Sequence, residues 1–149
     1  MLLITKDKKD QFFLDVEAAA KRAIWCALAT VEDNSPRVRM VHPTWEGSTL
    51  WIATGPQTPK ARQISANAAV DIQFQVAPDD FVHLLVRGQA TVLTDPATKS
   101  RIWDVMDYDL SQFWPGGPTD PGYCVIRVDP TRVELSEMFG TQNKRVWRA

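Results

Sequence analysis

The chain has 149 residues, of which 44% are hydrophobic and 23% are charged, and this predicts one globular domain over residues 1–149. Its formal net charge is −1, so no global basic field exists to attract nucleic acid. No apolar segment approaches the roughly 20 residues that a membrane helix needs, and the charged stretch from Lys6 onward is unlike a signal peptide. We therefore expect a soluble cytoplasmic protein with neither a nucleic-acid nor a membrane partner.

Cysteine and histidine are too few and too scattered to predict a metal site. Cys26 and Cys124 lie far apart in apolar segments, and neither has a second Cys or His at the spacing of metal ligands. Free thiols of this kind are usually buried in the core, and we expect this for both cysteines. The alternative is that one of them is a reactive thiol. His42 and His83 lie in apolar strand patterns, where a structural role is more common than that of a catalytic base.

The first half of the chain predicts a helix followed by short strands. Apolar residues recur at three- and four-residue steps near the start, which is typical of an amphipathic helix. A turn at 33–36 joins two strands into a hairpin. The predicted elements are a helix over 8–22, strands over 24–31, 37–45 and 49–54, and a short helix over 59–66.

The second half adds longer strands and one more helix. Gly88 lies in the middle of an extended stretch, where it predicts a bend or bulge and favours a barrel over a flat sheet. Asp95 and Pro96 are a good N-cap and first residue for a helix. The predicted elements are strands over 70–76, 81–93, 123–128 and 132–138, a turn at 129–131, and a helix from 96 to about 108.

The whole pattern contains about seven strands and three helices. Strands joined by turns dominate, which predicts a mostly β, antiparallel fold, either a barrel or an α+β arrangement. A doubly wound parallel sheet is not expected. The polar, basic tail after residue 140 carries no predicted element, and Trp147 within it has no explanation from the sequence.

The most unusual local pattern is the start of the short helix at 59–66. Thr58 is a good N-cap and Pro59 a good first helical residue, but the first turn carries Lys60 and Arg62 in place of acidic residues. Amide N–H groups, a hydroxyl and a lysine together can bind a phosphate. The alternative is a pair of solvated cations on a surface helix.

A second candidate for anion binding lies on the predicted strand over 37–45. Arg37 and Arg39 share one face of this strand, and Val38 and Met40 share the other. If the hairpin packs beside the helix that begins after Thr58, Arg39 could contact the same phosphate. The alternative is a solvated strand face. No nucleophile elbow, Walker loop or dinucleotide-binding glycine motif is present.

The ordered set of these segments resembles the pyridoxamine-phosphate-oxidase-like flavin proteins, and in particular their general-stress-protein branch. The resemblance is carried by the continuous run CALATVEDNSPRVRMVHPTWEGSTLWIATGPQTPKARQISANAAVDIQF and by the later segments VRGQATVLTDP, IWDVM and FWPGGPTDPGYCVIRVDPTRVEL. It covers roughly residues 8–138. It implies an antiparallel split β-barrel with flanking helices, assembled as a homodimer with FMN at the dimer interface.

The resemblance also assigns cofactor-binding residues. It implies that Arg39 meets the phosphate of FMN and that the strand backbone of Met40, Val41 and His42 lines the flavin ring. It further places Ala53 and Thr54 against the cofactor, Thr58 and Lys60 on the phosphate, and His83 in the cofactor site of the opposite subunit. His83 departs from the glutamine that the true oxidases carry at its position. No catalytic residue and no metal ligand is assigned.

One difference between the C-terminal tail and that of the family's true oxidases argues against pyridoxamine-phosphate oxidation. The true oxidases end in an Arg–aliphatic–His element that binds the pyridoxal substrate, whereas the tail over 139–149 contains no histidine. We therefore expect an FMN-binding flavoprotein, an oxidoreductase whose substrate the sequence does not identify, and not a pyridoxamine-phosphate oxidase. The alternatives are a reductase that uses the deazaflavin coenzyme and a non-enzymatic flavin-binding stress protein.

Overall fold

The computed structural model describes residues 6–74 and 81–149, which form one antiparallel sheet and the helices around it. The helices are α1 (Lys6–Ala23), α2 (Pro59–Ala66) and α3 (Pro96–Val105). The strands are β1 (Cys26–Glu32), β2 (Ser35–Val41), β3 (Thr44–Glu46), β4 (Thr49–Thr54), β5 (Ala69–Phe74), β6 (His83–Leu93), β7 (Cys124–Glu137) and β8 (Gln142–Arg148). Short 3₁₀ turns lie at Leu110–Gln112, Gly117–Thr119 and Met138–Gly140.

The sheet is antiparallel at every strand pair described, and it is not closed. The strand order is β2-β1-β5-β6-β7-β4-β3, with β8 added beside β7. The main core packs α1 against the sheet through Phe12, Phe13 and Val16, and a smaller cluster under α3 surrounds Ile102 and Tyr123. The predicted mostly β, antiparallel fold with flanking helices is confirmed.

The bulge predicted at Gly88 is present and explains an error in the predicted strands. The register between β6 and β7 shifts after Arg87, so that Gly88 lies opposite Pro130. A Cβ on Gly88 would come within 2.7 Å of the carbonyl oxygen of Asp129, which only glycine avoids. The predicted turn at 129–131 is therefore wrong: this segment is the bulged middle of the continuous strand β7.

The start of β1 differs from the prediction because of one residue. Ile24 adopts a left-handed conformation with φ 67° directly after α1, and its N–H donates to the carbonyl of Ala20. A β-branched residue is rare in this conformation, so the sequence predicted a strand from residue 24. The strand begins at Cys26 instead.

The other boundary errors are shorter. The predicted strand over 37–45 is two strands, β2 and β3, interrupted at His42 and Pro43. The helix predicted to about residue 108 ends at Val105. The last residues of the strand predicted over 70–76 and the turn after it lie outside the described part of the chain.

The tail forms a strand that the sequence did not predict. β8 pairs with the second half of β7, and its Trp147 packs edge-on against Phe13 of α1 with ring centroids 5.1 Å apart. Arg145 binds Asp15 of α1 at 2.7 Å. The segment QNKRVWR is too polar to show strand alternation, so β8 depends on these tertiary contacts.

Both cysteines are buried and unoxidised, as predicted. Burial raises the pKa of the Cys26 thiol to about 12 and also raises the pKa of Cys124, which keeps both thiols protonated and unreactive. Across residues 6–74 and 81–149, no helix is long and apolar enough to cross a membrane. The same ranges contain no group of three or more His, Cys, Asp or Glu side chains arranged to hold a metal ion.

Candidate functional site

A cleft of about 600 Å³ brings together seven of the nine residues predicted to bind a cofactor. It lies where β2 and β4 end, between the start of α2 and the segment after α3. Met40, Val41, His42, Ala53, Thr54, Thr58 and Lys60 line it, together with Trp25, Gly55, Tyr108, Gln112, Phe113 and Trp114. Arg39 and His83 are the two predicted residues outside this lining.

One end of the cleft is formed by the N-terminus of α2. The Oγ1 of Thr58 caps the helix by accepting from the N–H of Ala61 at 3.4 Å, and it donates to the carbonyl of Gly55 at 2.8 Å. The first turn carries no acidic residue. Since amide groups at a helix N-terminus carry partial positive charge, this end is suited to an anion.

Lys60 adds a full positive charge to the same end. It is half-buried, and burial together with the nearby Arg39 guanidinium lowers the pKa of Lys60. No described carboxylate lies within ion-pair distance of Lys60. An anion bound here would therefore relieve the repulsion between these two cations.

Arg39 lies just behind this end, against α2. Its Nη1 donates to the carbonyl of Leu28 at 3.1 Å and to Oγ1 of Thr30 at 2.8 Å, and its Nη2 donates to Oε1 of Gln63 at 2.7 Å. These bonds use three of its five N–H groups and leave two for a ligand. The hairpin of β1 and β2 thus packs beside α2, the arrangement that an Arg39 contact to the same anion requires.

The other end of the cleft has an aromatic wall centred on His42. The imidazole stacks on Tyr108 with ring centroids 4.1 Å apart and meets Trp25 edge-on at 5.1 Å. Tyr108 in turn meets Phe113 at 6.2 Å. A planar ligand with an anionic group at one end would place its ring against this wall or the strand ends beside it.

His42 is held in place by polar contacts behind the wall. Its Nε2 lies 3.1 Å from Oδ1 of Asp107, and the same Oδ1 accepts from Oγ1 of Thr44 at 2.9 Å. Burial, and then the Asp107 carboxylate, raises the pKa of Tyr108 to about 12, so the phenol stays protonated. These contacts fix the imidazole and keep its stacking partner uncharged.

The aromatic wall is the main part of the site that the sequence analysis missed. The predicted strand over 24–31 has Trp25 near its start, and the predicted helix ends near Tyr108. Phe113 and Trp114 lie beyond that helix, in a loop rich in proline and glycine. The density of aromatic residues in this loop was the available signal, since exposed loops rarely carry such side chains without a binding role.

His83 lies at the start of β6 and is not among the residues that line the cleft. Its Nε2 is 3.8 Å from Oε2 of Glu134 on β7, and its Nδ1 is buried without a hydrogen-bonding partner among the described residues. The single chain therefore does not bring His83 to the other predicted site residues, and its contact with the site of an opposite subunit stays a prediction.

Comparison with known proteins agrees with the resemblance seen in the sequence. The chain is 26% identical over 111 residues to General stress protein 26 of Bacillus subtilis, covering 73% of this chain and 76% of that protein. It superposes on a pyridoxamine 5′-phosphate oxidase-related, FMN-binding protein of Nostoc punctiforme with a TM-score of 0.70 and 20% identity, covering 93% of this chain and 95% of that one. An F420 reductase superposes with a TM-score of 0.60 and 30% identity, covering 77% of this chain and 92% of that one.

These likenesses confirm the split-barrel fold expected from the sequence. The family model described as pyridoxamine 5′-phosphate oxidase matches residues 15–137, which include the whole cleft and both strands that end at it. The chain therefore belongs to the pyridoxamine 5′-phosphate oxidase family.

Proposed function

We propose that the protein is an FMN-binding flavoprotein and acts as an oxidoreductase. The observation that carries the proposal is the pair of cations, Lys60 and Arg39, beside the N-terminus of α2 at one end of a cleft with an aromatic wall. A terminal phosphate and a planar ring system match these two ends. The FMN-binding protein of Nostoc punctiforme, which shares the fold, supports the choice of cofactor.

Each part of the cleft has a role in this proposal. Thr58, Lys60 and Arg39 bind the phosphate through charge-assisted hydrogen bonds. The backbone of Met40–His42 and of Ala53–Thr54 lines the ring. FMN would supply the electron-transfer chemistry when bound. The chain itself orients the ring, keeps His42 fixed through Asp107, and excludes water with the aromatic wall.

Oxidation of pyridoxamine phosphate is not part of the proposal. The tail lacks the histidine of the Arg–aliphatic–His element, and it forms β8, whose Trp147 and Arg145 pack on α1. The histidine that binds that substrate in the true oxidases therefore has no counterpart in the tail.

The proposal includes a homodimer. The outer face of the sheet carries a shallow hollow of about 230 Å³ that is lined in part by Ala27, Ala29, Val38 and Leu85, and Val38 is 67% exposed. A second copy covering this face would bury apolar surface and could bring its His83 toward the site. Sedimentation equilibrium at micromolar concentration tests this, and a monomer would count against it.

A reductase that uses the deazaflavin coenzyme F420 is the second candidate. It is favoured by the 30% identity to an F420 reductase, which exceeds the identity to the FMN-binding structure. A non-enzymatic flavin-binding stress protein is a third reading, supported by the similarity to General stress protein 26.

Absorbance and titration separate these candidates. We expect the purified protein to show the spectrum of an oxidised flavin, or to bind added FMN saturably, with weaker binding of F420. Tighter binding of F420 would favour the deazaflavin reductase. A bound flavin that accepts no electrons from NADH, NADPH or chemically reduced partners would favour the non-enzymatic role. A colourless protein that binds neither cofactor would rule out the proposal.

A further inference from the structure

A buried polar network behind the cationic end of the cleft is centred on Gln63. This residue lies one turn after Lys60 on α2 and is only 6% exposed. Its Oε1 accepts from Oγ1 of Thr30 at 2.6 Å and from Nη2 of Arg39 at 2.7 Å. Its Nε2 donates to Oε2 of Glu32 at 2.9 Å. All these partners lie on the hairpin of β1 and β2.

The network fixes the orientation of the Gln63 amide. Arg39 can only donate, so it must face the amide oxygen. The Glu32 carboxylate can only accept, so it must face the amide nitrogen. Thr30, which is 1% exposed, completes the arrangement by donating to the amide oxygen and accepting from Arg39. Each member of the network satisfies its neighbour, which holds the guanidinium in one position.

The same amide separates a cation from an acid. Glu32 is the carboxylate on the far side of Gln63, and the same Oε2 that accepts from Gln63 lies 3.5 Å from Nε of Arg37. Without a neutral group between them, Glu32 and Arg39 are opposite charges on neighbouring strands at a partly buried site. An ion pair between them would remove the positive charge that the cleft presents.

We infer that Gln63 is a positioning residue for phosphate recognition: its amide holds the Arg39 guanidinium beside Lys60 and prevents Glu32 from neutralising it. The inference rests on the proposed binding of a flavin phosphate in the cleft. It assigns Gln63 an effect on the phosphate end alone. The aromatic wall and the strand ends that would line the ring are held by contacts that do not involve Gln63.

Comparing FMN with riboflavin isolates this effect, because riboflavin has the same ring and ribityl chain without the phosphate. In Gln63→Met the side chain keeps a similar length but loses its amide. We expect its affinity for FMN to fall about tenfold or more, as for loss of a hydrogen bond to a charged group, while its affinity for riboflavin stays unchanged. Adding Glu32→Gln to this variant should recover part of the FMN affinity, because the competing carboxylate is removed.

Two further variants guard against a simple loss of folding. Thr30→Val removes the hydroxyl between Arg39 and Gln63, and it should weaken FMN binding alone, whereas Thr30→Ser should retain it. Gln89→Met makes the same chemical change at an exposed position of β6 and should leave both affinities unchanged. Circular dichroism and thermal melting verify that each variant is folded.

The outcomes separate the inference from the function it rests on. Parallel loss of FMN and riboflavin binding in Gln63→Met would show a structural role only and would overturn the inference. Unchanged FMN binding in Gln63→Met and Thr30→Val would overturn it as well. Equal affinity of the unmodified protein for FMN and riboflavin would instead overturn phosphate recognition in the cleft, and the inference with it.

Discussion

Two partly buried charged clusters of the protein differ in whether they contain a carboxylate that pairs with their cations. On β7, Glu134 is 5% exposed and contacts Arg132 at 2.9 Å and Lys144 at 3.3 Å. At the start of α2, Lys60 and Arg39 lie close together, and no described carboxylate forms an ion pair with either. We call the first the balanced cluster, because its buried carboxylate has cationic partners within the cluster, and the second the cationic cluster.

The difference indicates what each cluster does. A buried charge is costly unless it is paired, so the balanced cluster carries its own counter-ions and needs no ligand. The cationic cluster has repulsion in place of pairing, which is tolerable where an incoming anion supplies the missing charge. Substitutions in the two clusters should therefore affect different properties: cofactor affinity in one, and the free energy of unfolding in the other.

The largest expected effect is on FMN binding after substitution in the cationic cluster. We expect Lys60→Met to weaken FMN binding well beyond tenfold, because each charge-assisted bond to a phosphate contributes about 1.5–3 kcal/mol. Arg39→Ala should do the same. Lys144→Met, in the balanced cluster, is the matched control and should leave the affinity unchanged. Fluorescence titration measures all three, and equal loss in Lys60→Met and Lys144→Met would remove the distinction between the clusters.

A smaller effect is expected on stability after substitution in the balanced cluster. Glu134→Gln leaves Arg132 and Lys144 without their carboxylate, and both are partly exposed, so we expect the free energy of unfolding to fall by about 1–3 kcal/mol. Chemical denaturation measures this change. Lys60→Met is the comparison, since it relieves repulsion and should not destabilise the ligand-free protein. A larger loss of stability in Lys60→Met than in Glu134→Gln would contradict the assignment.

The smallest effects are on the pH dependence of stability. Glu134 acts at acid pH and Lys60 at alkaline pH. Burial opposes ionisation of Glu134, but the contacts from Arg132 and Lys144 outweigh it and lower its pKa below 4.5. The stability from this group is present above pH 4.5 and is lost as the pH falls through the lowered pKa. Glu134→Gln should reduce this acid sensitivity.

Lys60 acts at the alkaline side. Its pKa is lowered from 10.5, so between the lowered value and 10.5 the unfolded chain binds more protons than the folded one. Stability of the ligand-free protein should therefore rise with pH in this window, and Lys60→Met should remove the rise. Urea denaturation across the pH range measures both the acid and the alkaline dependence of stability. If the free energy of unfolding still rises at alkaline pH in Lys60→Met, the rise belongs to another titrating group.

Local signals in the sequence predicted the elements that build the cationic end of the cleft. Thr58 and Pro59 marked the start of α2, and the structure begins this helix at Pro59. The run from Thr49 to Thr54 gave β4 its observed bounds. Capping residues and short apolar runs act over a few positions, so one sequence is enough to recognise them.

Features that depend on distant partners could not be predicted in this way. The bulge at Gly88 was visible, but its consequence for Pro130 on β7 was not, because it arises from pairing between strands. No local pattern in the sequence singles out Gln63, since its importance comes from Thr30 on β1 and Arg39 on β2. The left-handed conformation of Ile24 contradicts its local preference, and it accompanies the hydrogen bond by which the N–H of Ile24 closes the end of α1 on the carbonyl of Ala20.

The contacts between α1 and β8 have a consequence for how the chain folds. Asp15 and Arg145 are 130 positions apart, and Phe13 and Trp147 meet in the same region. Closing so long a loop is entropically unfavourable until the intervening sheet has formed, and proteins dominated by such distant contacts fold slowly. Docking of β8 should therefore be a late event in refolding, and the part of the tryptophan fluorescence change that is lost in Trp147→Phe would report the moment at which the two segments meet.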